Sequence, residues 1–220
     1  MNSTQLNQIF QTLSFERMQT YENKTKTREQ AVELYLWNAQ ISGAFLFPLH
    51  ICEVTIRNAI AEILYTQYGS NWVNNHMFIN SLPNHPKPKY NQRTDLDKAT
   101  KQHTLNYIPK IIPELNFVFW QAMLTQRHDT RLWNSQFQLI FPHANLSRSV
   151  QKNREHLHND LDIVRRLRNR IAHHEPIFDE KLLSIYNKII KIIGYRCQET
   201  ANWVASHQTV TTLIAQKPKI

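Results

Sequence analysis

The sequence predicts an all-α protein, a helical bundle with accessory helices. Three observations carry the fold class. The 220 residues include only three glycines. Apolar residues recur at steps of three and four, the period of helices. No stretch shows the clear apolar/polar alternation of a half-buried strand.

The elements follow in order. Residues 3–21 form a short helical lead: Leu6, Ile9, Phe10 and Leu13 share a face, and Ser14 is placed to cap a second piece from Phe15. Polar residues 23–27 connect the lead (1–27 in all) to a long helix. Thr27 is its N-cap, with Gln30 at the capping-box position. From Ala31 to about Phe47 this helix is apolar nearly all round, which predicts burial. Pro48 predicts a kink or break, with a further helix from Leu49 to Tyr68 ending at Gly69.

Residues 70–92 read as an irregular loop segment, mixing Trp72, Val73, Phe78 and Ile79 with the prolines of PNHPKPKY. His76, His85, Lys87 and Lys89 give it some affinity for RNA, although a solvated loop is the plainer reading. A polar helix is expected over Arg93–His103, and another begins at Pro109 or Pro113. Thr130–Phe141 is helical up to Pro142. Arg148–His158 precedes a helix over Asn159–His173. Lys181–Ile193 forms a basic amphipathic helix interrupted by Gly194, and Gln198–Ala215 forms the last one. The tail QKPKI is expected to fray. Nothing in this pattern calls for a second domain, so residues 1–220 are read as one.

The net charge of +9 and isoelectric point near 9.6 favour a polyanionic partner, nucleic acid before membrane. The start, MNSTQLNQIF, lacks the basic and apolar regions of a signal peptide, and no run approaches the ~18 apolar residues of a membrane span. Cys52 and Cys197 flank no motif and read as free thiols of a cytoplasmic protein. No Gly-rich phosphate loop or Ser/His/Asp set is present.

The chemistry concentrates in one stretch, Leu167-Arg168-Asn169-Arg170-Ile171-Ala172-His173-His174-Glu175-Pro176-Ile177-Phe178. Leu161, Val164, Leu167 and Ile171 line one helical face, and Pro176 ends the helix. That puts His173 and His174 in the last turn, with Arg168 roughly 7–8 Å earlier along the axis. Histidine titrates near ~6.5 and can give or take a proton at neutral pH. Arginine stays charged and grips two phosphate oxygens in a fork. Asn169 is placed to hold an imidazole or a phosphate oxygen. This set suits attack of a ribose 2′-OH on its own phosphate. A cationic helix C-terminus is also favoured by the helix dipole whatever the function.

This stretch resembles the active-site signature of Abi-like (abortive infection) proteins of the HEPN superfamily, whose arginine–histidine pattern cleaves RNA without a metal. Two more segments resemble the family: PLHICEVTIRNAI, and PELNFVFWQAML, where Val118 replaces a glycine common among relatives. The resemblance covers about residues 28–195. It implies a metal-independent endoribonuclease acting as a toxin in phage defence, working as a homodimer with two motifs facing one another. It leaves a 2′,3′-cyclic phosphate and a 5′-OH. Arg168 would clamp phosphate, His173 would move protons, Asn169 would orient them, and His174 is the reserve candidate. No cofactor is implied. A structured non-coding RNA antitoxin is an additional partner that the resemblance suggests.

The residues leave alternatives open. Glu175 positions a histidine or caps the loop. Glu53 pairs with Arg57 inside the bundle, or Glu53 or Asn58 lines the cleft from behind. Arg148, Lys152, Arg154, Arg165, Arg166 and Arg170 surround the motif as RNA contacts or as a solvated face. The same charge would serve an RNA-binding module that does not cut, or a structural dimer with an inactive site. His156, His158, His173 and His174 match no standard metal-ligand spacing.

Overall fold

The computed structural model describes residues 1–86, 90–102 and 108–219. Among these there is no strand, and the fold class is all-α, as the sequence predicts. Lys87, Lys89 and His103 lie outside the described residues.

The chain opens with α1 (Ser3–Leu13) and α2 (Phe15–Glu22). The Ser14 hydroxyl accepts from the Arg17 amide at 3.3 Å, so the expected cap between the two helices is formed. Thr27 then caps α3, a helix of 41 residues from Arg28 to Tyr68. The capping box is displaced by one residue: Thr27 accepts from the Gln30 amide, but the Gln30 side chain reaches the Lys26 amide.

Helix α3 corrects the break expected at Pro48. The chain stays helical through the proline. A proline in a helix interior costs about 3 kcal/mol. Phe45, Leu49, Cys52 and Ile56 beside it are all buried, and each buried side chain of this kind contributes about 1.5–3 kcal/mol. Burial therefore outweighs the missing hydrogen bond. By length and composition α3 is also long and apolar enough to cross a membrane. Here it packs against α1, α2 and most of the later helices.

The segment 70–92 is more regular than expected. It contains a 3₁₀ turn, Trp72–Asn74, and α4 (His76–Ser81), capped by Asn75. Trp72, Val73 and Phe78 are buried, so aromatic packing orders a stretch whose composition reads as loop. Next come α5 (Gln92–Lys101), α6 (Ile108–Glu114) and α7 (Phe117–Ala122). Phe117, Phe119 and Trp120 of α7 are buried, which resolves that aromatic run as core. A π-helical turn, Asp129–Trp133, leads into α8 (Asn134–Ile140).

Helix α9 runs unbroken from Val150 to Ala172, joining the two pieces that the sequence reading kept apart. Ser149 caps its start. Helix α10 (Leu182–Arg196) continues through Gly194, contrary to expectation. A Cβ at Gly194 would meet the Gln198 side chain at 3.4 Å and the Ala201 Cβ at 3.6 Å, so the small residue suits close packing of α10 on the next helix. The expected last helix is two, α11 (Gln198–His207) and α12 (Val210–Ala215). The Trp37 indole donates to the Leu213 carbonyl at 2.7 Å, which fastens α12 to α3. Cys52 is buried and Cys197 half-buried, and both are free thiols.

One buried group makes stability depend on pH. His128 is 1% exposed. Burial, then the charges of Arg131 and Arg127, lower its pKa to about 3. Its Nδ1 faces an Arg131 guanidinium nitrogen at 3.1 Å, so it accepts there in the neutral form. Between the ordinary value near ~6.5 and about 3, only the unfolded chain takes up the proton. The stability this group contributes is present above the unfolded pKa and is lost as pH falls through that window, at up to ~1.4 kcal/mol per pH unit. Denaturant titrations of wild type and His128→Gln from pH 7 to 4 check this. The substitution should flatten the slope by close to one proton.

Candidate active site

The site is built on the C-terminal end of α9. His173 is the C-cap residue, with φ −93° and ψ 9°, and His174 follows in the left-handed region at φ 55°. The His174 amide donates to the Ile171 carbonyl at 3.0 Å and the Glu175 amide to the Arg170 carbonyl at 2.8 Å. This pair of bonds is a Schellman termination. The last-turn placement of the two histidines is thus corrected: one caps the helix and the other lies beyond it. Pro176 explains the position, because it keeps Glu175 out of helical geometry. No glycine is available for the left-handed position, so His174 takes it at a cost of about 1 kcal/mol.

The loop that follows is fastened from several directions. Ile177 and Phe178 are buried. The Ile177 amide donates to the Asn38 side chain of α3 at 2.7 Å, and Lys217 donates to the Phe178 carbonyl at 2.7 Å. Arg170 spends its guanidinium here, on Glu180 at 2.7 Å, on the Pro176 carbonyl and, at 3.7 Å, on Glu175. Arg17 of α2 donates to the His174 carbonyl at 2.7 Å. The backbone around the histidines is therefore held while the imidazoles stay exposed.

Asn169 and His173 line one open cleft of ≈ 530 Å³, together with Arg166, Arg170, Glu175 and Glu180. Four residues apart, they stand on one side of the helix end. Arg168 points elsewhere. Its Nε lies 3.8 Å from Glu53 Oε2 of α3, and its side chain is 45% exposed. Arg168 and His173 are five positions apart in sequence, which places them roughly 140° apart around the helix. The common space expected for guanidinium, amide and imidazole is thus divided between two faces in one chain.

Glu53 pairs with Arg168 rather than Arg57, and neither it nor Asn58 lines the cleft that holds Asn169 and His173. Asn58 is exposed, and Arg57 keeps a buried Nε with no hydrogen-bond partner among the described residues.

The six surrounding cations divide. Arg154 is buried, donating to the Leu124 carbonyl at 2.8 Å and paired with Asp129 at 2.6 Å, so it is a structural residue and not an RNA contact. Arg165 is spent on Gln121 at 2.6 Å and Asp162 at 2.7 Å, and Arg170 on the loop. Burial pushes the Asp162 carboxyl up, but Arg165, Gln121 and Arg166 more than offset this and hold it below its ordinary value. Arg166 pairs with Asp162 at 2.8 Å yet is 75% exposed. Arg148 and Lys152 are exposed. Among the described residues, no group of three or more His, Cys, Asp or Glu side chains is placed to hold a metal ion.

Two residues that shape the site escaped the sequence reading. Arg17 lies 157 positions from its partner, and no local pattern marks it. Asn38 did carry a signal: a polar residue within a helix apolar nearly all round needs a buried partner.

Fold and site together define an all-helical protein with an arginine–histidine motif at a tethered helix end. Residues 3–179 match the family model described as Abi-like protein. The chain belongs to that family. The match starts within the N-terminal lead and ends before α10, where the sequence resemblance was placed at 28–195. No curated protein and no solved structure matches the chain.

The left-handed residue gives a stability order. His174→Gly should match or exceed wild type by up to about 1 kcal/mol, and His174→Val should lose about 1–2 kcal/mol, because a β-branched residue tolerates this region poorly. Urea denaturation of the three proteins checks it. Equal stabilities for Gly and Val would mean that His174 is not left-handed in solution.

Proposed function

We propose that this protein is a HEPN-type endoribonuclease that cleaves RNA without a metal ion, as a toxin of abortive-infection phage defence in the cytoplasm. One observation carries the reading most: His173, on a tethered backbone, exposes an imidazole with no partner among the described residues, beside Asn169 in the same cleft. A histidine that stabilised the fold would have its ring packed or bonded. Membership of the Abi-like family supports the defence role.

In this reading the 2′-OH attacks the adjacent phosphorus and the 5′-oxygen leaves. His173 takes or delivers the proton, and Asn169 orients the imidazole or a phosphate oxygen. Arg168 stabilises the charge that builds on the phosphate. Its ion pair with Glu53, long and half-exposed, contributes little to stability. At 3.8 Å from Nε, Glu53 leaves the donor fork free for phosphate. His174 has its ring exposed and remains the reserve proton carrier, while Glu175, tied to Arg170, belongs to the loop.

Because Arg168 and His173 occupy different faces of one helix end, two motifs facing each other across a two-fold axis complete the site. A homodimer would supply two proton carriers and two clamps around one scissile phosphate. Arg148, Lys152 and Arg166 would guide the RNA backbone, and a structured non-coding RNA could occupy the same surface as an antitoxin.

The test is cleavage of end-labelled RNA with EDTA present. Wild type should cut. His173→Ala should lose about 10²–10⁴-fold, the usual contribution of a general acid or base. Arg168→Ala should lose a comparable factor and Arg168→Lys should recover little, since a point charge cannot reproduce the fork. His174→Ala should be milder. Normal cutting by all of the alanine variants would overturn the assignment of cleavage to this motif. RNA retained without cutting would select the non-cleaving binding module.

Binding has its own signature. Removing Arg148 or Lys152 should lower affinity for every RNA alike and reduce the slope of log K against log salt by about 0.7 each. Arg154→Ala should instead destabilise the fold by leaving Asp129 buried without its cation. Filter binding across salt, alongside thermal melts, separates the two classes.

A further inference from the structure

Only two non-glycine residues among those described have positive φ, Ser14 at 69° and His174 at 55°. They are distant in sequence, yet Arg17 joins them. Its amide donates to the Ser14 hydroxyl at 3.3 Å, and its guanidinium Nη1 donates to the His174 carbonyl at 2.7 Å. Backbone strain persists where surrounding contacts hold it in place.

The bonds at the end of α9 leave a particular gap. The helix end satisfies the amides of His173, His174 and Glu175. It offers nothing to the His174 carbonyl. Arg17 supplies that partner, and a charged donor makes the stronger kind of hydrogen bond. Two further contacts join the same lead to the same loop: Lys24 pairs with Asp179 at 3.0 Å, and the Tyr21 ring packs on the Phe178 ring with centroids 5.1 Å apart. The family match spans both partners of each contact.

We infer that α2 is a positioning strap for the active-site loop, in which Arg17 fixes the His174 peptide and so sets the direction in which His173 presents its imidazole. Arg17 is a positioning residue and touches no substrate. The His173 ring is carried by a turn that runs on through the His174–Glu175 peptide, which is held on one side by the Glu175 amide on the Arg170 carbonyl and on the other by Arg17 on the His174 carbonyl. Without Arg17 one of these two restraints is lost, the turn loosens, and the His173 ring samples directions away from the cleft. The N-terminal lead thereby becomes part of the catalytic apparatus of the proposed nuclease instead of an appendage to the bundle.

The kinetic half of the test rests on the nuclease reading; the exchange half does not. Hydrogen exchange read by mass spectrometry, and kcat and KM on end-labelled RNA, are measured on full-length wild type, Arg17→Ala and Arg17→Lys. In Arg17→Ala, amides of residues 173–179 should exchange about tenfold faster, a scale consistent with one charge-assisted hydrogen bond, while the interior of α9 is unchanged. The kcat should fall about tenfold with KM within twofold, and Arg17→Lys should restore part of both. Unchanged exchange in the loop overturns the strap. So does a rise in KM alone, which would make Arg17 an RNA contact, or faster exchange throughout the chain, which would make it a general stabiliser. If wild type does not cleave, the nuclease reading fails and the exchange result alone decides whether α2 holds the loop.

Discussion

The constraint on which the structure depends is the burial of α3. A helix of 41 residues extends about 60 Å, and fifteen of its residues are buried. Those side chains need cover along the whole helix, and the helices around it supply it. The lead lies on its first half, α9 and α10 on its length, and α12 is tied to Trp37. The same packing carries the chain past Pro48, because side chains on either side of the proline are already committed to the core.

The motif helix borrows its order from this arrangement. Glu53 meets Arg168, while Asn38 meets Ile177 beyond the helix end, so α9 and its exit run antiparallel to α3. A polar residue in each half of α3 therefore touches the functional segment. The exit from α9 is rigid for the same reason: buried Ile177 and Phe178 anchor it, and the polar backbone between is satisfied by Asn38, Arg170, Lys217 and Arg17. Reactive side chains on a fastened backbone are the arrangement a catalytic site needs, since precise placement of a few groups supplies much of the rate.

Charge needs the same distinction. A basic chain invites every arginine near the motif to be read as a contact for nucleic acid. Three of the six cations around it are instead taken up within the fold, and Arg166, Arg148 and Lys152 keep exposed heads. Each of the three taken up reaches at least two acceptors: Leu124 and Asp129 for Arg154, Gln121 and Asp162 for Arg165, Glu180 and the Pro176 carbonyl for Arg170, whereas Arg166 reaches Asp162 alone and stays 75% exposed. Those acceptors lie up to 44 positions away.

By itself the sequence determined the helical class, the caps at Ser14, Thr27 and Gly69, and the position of the Arg168–His173 stretch at a helix end. These are legible because periodicity, capping and proline act within a few residues of themselves. Tertiary structure alone decided that Pro48 and Gly194 lie inside continuous helices, that Trp72, Val73 and Phe78 pack in the core, and that Glu53 serves Arg168 instead of Arg57. It also decided that Arg168 and His173 face different sides, and that Arg17 holds the turn at His174. Each of these depends on which distant residue supplies the partner for a buried side chain or an open backbone group, and no local pattern records that choice.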